Sequence, residues 1–251
     1  MNDKLSEHLK CPDKFKGTGW IDDAELRIQI SKQISDILSG QIEVHFQLFQ
    51  VLGYNFLLKE SDIDSRVPPH QDWTYVDESK YYSFNLWLAL EDILPEDGAI
   101  QVLPFSHRIF SGYLRPSPAY PIPFAAYRDK LLPFMKTIPM RAGDCICFSN
   151  AVVHASLPNT GRGLRPVVVC TIYPKEATLL HHYVHNISTP NEVVEYHISS
   201  EQFLKINRGQ PPQCYINKHF RHTRYPDITY QKFVLIWYAQ LYMYKLNKVF
   251  V

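Results

Sequence analysis

Pro68-Pro69-His70-Gln71-Asp72-Trp73 sets a histidine and a carboxylate two residues apart in a run that reads as a strand. Side chains at i and i+2 of a strand leave by the same face, so His70 and Asp72 can grip one ion from one side. One nitrogen and one oxygen leave a metal site incomplete, and a third ligand has to come from elsewhere. The best candidate is His154 in Ala151-Val152-Val153-His154-Ala155-Ser156, another short apolar run with strand character. Two imidazoles and one carboxylate on one face of a metal form the facial triad of non-haem Fe(II) sites, which leaves other coordination positions open.

Downstream of His154, Arg165 opens the run Arg165-Pro166-Val167-Val168-Val169-Cys170-Thr171. A buried arginine beside such a site wants a carboxylate, which its planar fork holds bidentately. Arg162 in the same loop is its competitor. Alternation favours Arg165, because it places Val167, Val169 and Thr171 on the arginine's face.

Further segments fall in order around these ligands: Asn85-Leu86-Trp87-Leu88-Ala89-Leu90-Glu91, then Asp97-Gly98-Ala99-Ile100-Gln101-Val102-Leu103-Pro104-Phe105-Ser106-His107-Arg108, then Gly143-Asp144. Together with His70-Gln71-Asp72, His154 and Arg165, this ordered set resembles the phytanoyl-CoA dioxygenase family of Fe(II)/2-oxoglutarate oxygenases. The resemblance runs from the middle of the first third to about two-thirds of the chain. A lone H-x-D arises easily by chance, and the weight rests on the whole set with the distal His-to-Arg spacing.

The resemblance implies a mainly β fold with flanking helices, a double-stranded β-helix of the jelly-roll or cupin-like kind. It implies His70, Asp72 and His154 as catalytic metal ligands, and Arg165 as the residue holding the distal carboxylate of 2-oxoglutarate. Gln71 and Trp87 match positions lining the cosubstrate pocket, and Ser156 shares the face of His154 by the two-residue rule. With Fe(II), 2-oxoglutarate and O2, the expected reaction hydroxylates an unactivated C–H and releases succinate and CO2. The substrate would be a small molecule, such as a free or carrier-bound amino acid or another biosynthetic intermediate. Related halogenases carry a small residue in place of the carboxylate, so Asp72 favours hydroxylation; desaturation and ring formation stay open. Two rival readings remain: a catalytically silent barrel that senses a carboxylate and iron, and a cupin-like metal enzyme that does not use 2-oxoglutarate.

Composition sets the bounds. At 251 residues, 45% hydrophobic and 20% charged, the chain has the makings of one well-filled domain. Lysine plus arginine number 26 against 25 acidic residues, so no global field marks it for nucleic acid or an acidic membrane surface. Five cysteines, at 11, 145, 147, 170 and 214, form no C-x-x-C pair and no secretory framework, and the start carries no apolar signal segment. The expected location is cytoplasmic.

The rest of the chain fills in around the ligand strands. Residues 1–20 read as an extended lead-in, and a helix capped by Asp22 or Asp23 runs to about Leu38, stopped by Gly40, with Leu26, Ile30, Ile34 and Ile37 inward. Alternation from Gln41 to Leu58 predicts two strands broken near Gly53, and the barrel core is expected over about 41–174. The proline-rich stretch of about 104–136 reads as an insertion or lid, with a short helix near Ala125 to Leu132 and with Arg108, Arg115, Arg128 and Lys130 as hints of an anionic or polar substrate. A C-terminal helical extension is expected over about 175–251, partly helical in Ser188 to Ile206. His181, His182 and His185 read as a solvated or pocket-rim segment, and His107 as structural. The last element, Thr229 to Val251, has an uncharged apolar centre too short to span a bilayer, so it is expected to pack against the barrel or to form a homodimer interface.

Overall fold

The computed structural model describes residues 14–161 and 163–249. Cys11, Arg162, most of the expected lead-in and the last two residues lie outside that range.

Four strands build the smaller of two facing sheets: β3 (Val67–His70), β8 (His154–Ser156), β5 (Ile100–Val102) and β6 (Lys136–Ile138), in that order. Five build the larger, in the order β1 (Phe15–Gly17), β2 (Phe49–Lys59), β9 (Arg165–Pro174), β4 (Phe84–Ala89) and β7 (Cys145–Ser149). All neighbours run antiparallel. Alternation along β4 and β9 explains the layering. Trp87, Ala89 and Val167 point between the sheets to meet Ile100, Met140 and Phe148, while Leu86, Val168, Cys170 and Ile172 point outward. This is the jelly-roll arrangement expected from the sequence, with two apposed sheets rather than a closed barrel.

Helix α1 (Ala24–His45) covers the outward face, and its first turn is capped by Asp23, whose Oδ1 accepts from Leu26 N at 3.1 Å. It does not stop at Gly40. A mid-helix glycine costs only about 1 kcal/mol, and Ile42 one half-turn later still packs on the sheet. The buried side is Arg27, Ser31 and Ile34, whereas Leu26 and Ile37 of the expected face are exposed. The extended helix consumes the first expected strand. The second is the single long β2, whose pairing with β9 shifts register between Val51 and Gly53, where the break was expected.

The C-terminal part departs most from expectation. Where a helical extension was expected, it first forms a third antiparallel sheet of β10 (Leu180–Tyr183), β11 (Glu192–His197) and β12 (Asn217–His222), and only the last element is the long helix expected there. Val193, Val194, Glu195 and Tyr196 are all buried, so β11 is covered on both faces and shows no alternation to read. Within the stretch expected to be partly helical, only α3 (Ser200–Leu204) is helix, held by a capping box between Ser199 and Gln202.

The 104–136 insertion, with α2 (Ser106–Ile109) and the 3-10 turns Ala125–Phe134, is packed tightly into the molecule. Its Phe110, Phe124 and Leu131 share a core with Phe233 of α4 (Tyr230–Val249). Trp237 Nε1 ties that helix to Pro104 O at 3.1 Å. Its other side leaves Leu235, Tyr238, Tyr242 and Met243 exposed. Among the described residues no helix is long and apolar enough to cross a membrane.

Candidate metal centre

Antiparallel pairing of β3 with β8 sets His70 opposite His154, and their rings lie 4.2 Å apart, centre to centre. Asp72 follows β3 and is held in line by its amide, which donates to Asn150 O at 3.0 Å. Asp72 Oδ2 reaches within 3.7 Å of His154 Nε2. One ligand atom from each of His70, Asp72 and His154 lies within 4.8 Å of the others, and among the described residues no other cluster has this character.

Each imidazole is oriented by its own strand. His70 Nδ1 sits 2.9 Å from Pro68 O and His154 Nδ1 3.0 Å from Val152 O. A carbonyl only accepts, so Nδ1 carries the proton in both rings and Nε2 presents a lone pair, the tautomer a metal requires. Burial, with His154 alongside, holds the His70 imidazole neutral well below the ordinary histidine range. The donor set therefore fits Fe(II) in composition, protonation and placement.

A second layer positions the carboxylate. Asn85 Nδ2 donates to Asp72 Oδ2 at 2.6 Å, and Thr171 Oγ1 donates to Asn85 Oδ1 at 2.6 Å. Fully buried Arg115 donates from Nε to Asp72 O at 2.6 Å and grips Glu78 with both terminal nitrogens. Arg115, which the sequence suggested for an anionic substrate, is thus a brace of the ligand segment. Gln71 is buried too. Its Nε2 donates to Phe110 O at 3.0 Å and to Ala151 O at 2.5 Å, and its Oε1 accepts from Tyr113. Both amide hydrogens are spent on the insertion and the β7–β8 connection, not on a ligand.

Arg165 and Trp87 do come together. The guanidinium lies 5.0 Å over the indole, is 2% exposed, and its Nε and Nη1 have no hydrogen-bond partner among the described residues. Directly across the β2–β9 ladder stands Lys59, completely buried, donating to Ser156 Oγ at 2.6 Å and to Leu157 O at 2.5 Å. Burial and the neighbouring Arg165 charge pull the Lys59 ammonium down to about 6, and burial brings Arg165 down to about 10. A buried guanidinium with no hydrogen-bonded carboxylate, beside a buried lysine that can take up a proton when an anion arrives, forms an anion-receiving pocket. Sequence reasoning placed Arg165, Ser156 and Trp87 but missed Lys59. Its one signal was a lysine closing an otherwise apolar strand, and its meaning depends on a pairing partner more than a hundred positions away.

Other histidines lie outside this centre. His107 Nδ1 is buried without a partner. His181 and His182 are buried rather than solvated; His182 bridges Thr74 O at 3.0 Å and Glu195 Oε2 at 3.1 Å.

Two facing antiparallel sheets, a two-histidine and one-carboxylate cluster on the smaller, and a cationic pocket at one end of the larger define a class: jelly-roll proteins built around a facial metal-ligand set. The chain belongs to the phytanoyl-CoA dioxygenase (PhyH) family, whose sequence profile matches residues 6–167. Enzymes of this family use Fe(II), 2-oxoglutarate and O2. Phytanoyl-CoA dioxygenase domain-containing protein 1 of Danio rerio is 29% identical over 140 residues, covering 51% of this chain and 46% of the relative. Phytanoyl-CoA dioxygenase 1 of Oryza sativa subsp. japonica is 26% identical over 120 residues, covering 43% and 39%. The chain thus matches less than half the length of these curated relatives. Among solved structures, the epimerase SnoN in complex with Fe3+, alpha ketoglutarate and nogalamycin RO aligns with a TM-score of 0.47 at 18% identity, over 70% of this chain and 68% of that one.

Proposed function

We propose that the chain is an Fe(II)- and 2-oxoglutarate-dependent oxygenase that hydroxylates an unactivated C–H of a small molecule. The observation that carries this reading is the pairing of a preoriented His70/Asp72/His154 cluster with the buried, unpartnered guanidinium of Arg165 at one end of the same sheet sandwich. A metal enzyme that ignored 2-oxo acids would have no use for that second feature.

His70 Nε2, a carboxylate oxygen of Asp72 and His154 Nε2 would hold the iron. Iron with 2-oxoglutarate and O2 bound supplies the oxidation, in which the substrate C–H becomes C–OH while the oxo acid is converted to succinate and CO2. The chain's own residues bind and orient. Arg165 and Lys59 receive the distal carboxylate of the oxo acid, Ser156 holds Lys59 in place, and Trp87 fixes the guanidinium by stacking on it. Asn85 keeps Asp72 aimed, and retention of that carboxylate leaves no ligand position free for a halide.

Anaerobic titration of the Fe(II)-loaded protein with 2-oxoglutarate tests the reading. A weak visible charge-transfer band is expected, requiring far more 2-oxoglutarate in Arg165→Ala. A folded, iron-loaded protein without that band would overturn it.

A further inference from the structure

The β2–β9 pair has a second end. Six residues along β9 from Arg165, a distance of about 20 Å at ~3.3 Å per residue, Thr171 opens onto a cavity of about 140 Å³. The cavity adjoins the metal cluster twice. Trp73, next in sequence to Asp72, lines it, and Thr171 reaches Asp72 through Asn85 by two hydrogen bonds. Its size limits an occupant to a compact organic molecule. Much of its wall, including His181, Phe203, Leu204 and Ile206, comes from beyond residue 167, where the family match ends.

The lining has a definite chemistry. Trp73, Tyr75, Phe203 and Trp20 give flat aromatic walls, and among the described residues no aspartate or glutamate takes part, whereas Arg27 and Arg208 do. Arg27 is 4% exposed, and its guanidinium donates to Ile21 O, Leu204 O, Ile206 O and Asn207 Oδ1, all neutral. Its charge is solvated by dipoles but not neutralised. An ammonium brought into this space would meet positive charge and no carboxylate, which costs several kcal/mol. A carboxylate would supply the missing countercharge. His181, edge-on to Trp73 at 6.1 Å, adds a polar but uncharged group. Its Nε2 has no partner among the described residues, and burial beside His182 holds the ring neutral, down to about 3.

We propose that this cavity holds the molecule to be oxidised, and that this molecule is an organic acid with a flat apolar body and no ammonium group. The assignment rests on the reading of the triad as an iron centre. It turns the substrate expectation away from free amino acids, whose ammonium finds no partner here.

Three probes with one body and different heads test it: 3-phenylpropionate, 3-phenylpropionamide and 3-phenylpropylamine. Binding to the full chain, loaded with Zn(II) and saturating 2-oxoglutarate so that the Arg165 end is occupied, is read by tryptophan fluorescence quenching and by saturation-transfer NMR. The acid should bind about tenfold tighter than the amide, the effect of one charge-assisted contact, and the amine should not bind. Arg208→Gln, a change at an exposed position, should narrow the acid-to-amide ratio, and His181→Trp should block all three probes by filling the space. Acid binding should persist in Arg165→Ala. Binding of the amine as tight as the acid, or acid binding lost in Arg165→Ala and untouched by Arg208→Gln, would overturn the assignment. The charge-transfer titration is independent of these readings, so its failure would strike the iron reading while the probe preference still decides the cavity's chemistry.

Discussion

The two ends of the β2–β9 pair solve different problems with the same backbone. At the Lys59–Arg165 end, two basic side chains are sealed in, Lys59 pinned by Ser156 and Arg165 stacked on Trp87. All four residues lie within the family match. At the Gly53–Thr171 end the space is aromatic, and much of its wall comes from elements after that match. The difference teaches how such a scaffold divides its labour: the end that would hold a fixed cosubstrate is tight and charged, and the end that would face a variable substrate draws about half its wall from added chain.

The sharpest way to break this comparison is to remove the piece both ends depend on. His70→Ala, Asp72→Ala and His154→Ala should each weaken metal binding by at least ~100-fold, because even groups that only support a ligand are worth about 10–100-fold. Calorimetric titration with Fe(II) under anaerobic conditions measures this, with circular dichroism confirming the fold. Wild-type affinity in His154→Ala would dissolve the centre and with it the distinction between the ends.

Next in size is Arg165→Ala. Losing a bidentate, buried, charge-assisted pair costs about 3 kcal/mol, or roughly 100-fold in 2-oxoglutarate affinity. Metal affinity should not change, since Arg165 touches none of the three ligands. Asn85→Ala should do the converse. It frees Asp72 Oδ2 from its 2.6 Å donor and should weaken metal binding on the order of tenfold, leaving the oxo acid's carboxylate contacts intact. Equal effects of the two variants on both ligands would mean that the ends are not separable.

The sequence made the ligand set readable because its logic is local: His70 and Asp72 are two residues apart in one strand, and His154 and Ser156 repeat the spacing in another. Strands β4 and β9, with one face on the sandwich core and the other under α1, were legible as apolar, β-branched and aromatic runs bounded by turn residues. Where both faces are buried the pattern vanishes, and β11 was read as helix. Gly40 looked like a stop, yet tertiary contact through Ile42 carries α1 past it. Arg115 looked like a substrate residue because its partners, Glu78 and the Asp72 carbonyl, are distant in sequence from the insertion that carries it. His181 and His182 were read as a solvated or pocket-rim segment; both do line cavities, but nothing in the sequence announced that a third sheet would also bury them.

Lys59 gives the smallest effect and the finest resolution of the comparison. Its ammonium is pulled down to about 6 by burial and by Arg165, so at pH 7.5 the unliganded protein holds it mostly as the neutral amine. A dicarboxylate seated between the two groups favours the ammonium and raises that pKa. Between pH 6 and the raised value the complex therefore holds one more proton than the free protein, and affinity for 2-oxoglutarate must fall as pH rises, by at most about tenfold per pH unit. Below pH 6 the dependence should flatten, because Lys59 is charged in both states. Lys59→Met should bind more weakly with no slope across the same range. Titrations at pH 6.5, 7.5 and 8.5 suffice to see the difference. A flat profile in the wild type would mean that the oxo acid does not reach Lys59, and the sealed end would then hold its carboxylate through Arg165 alone.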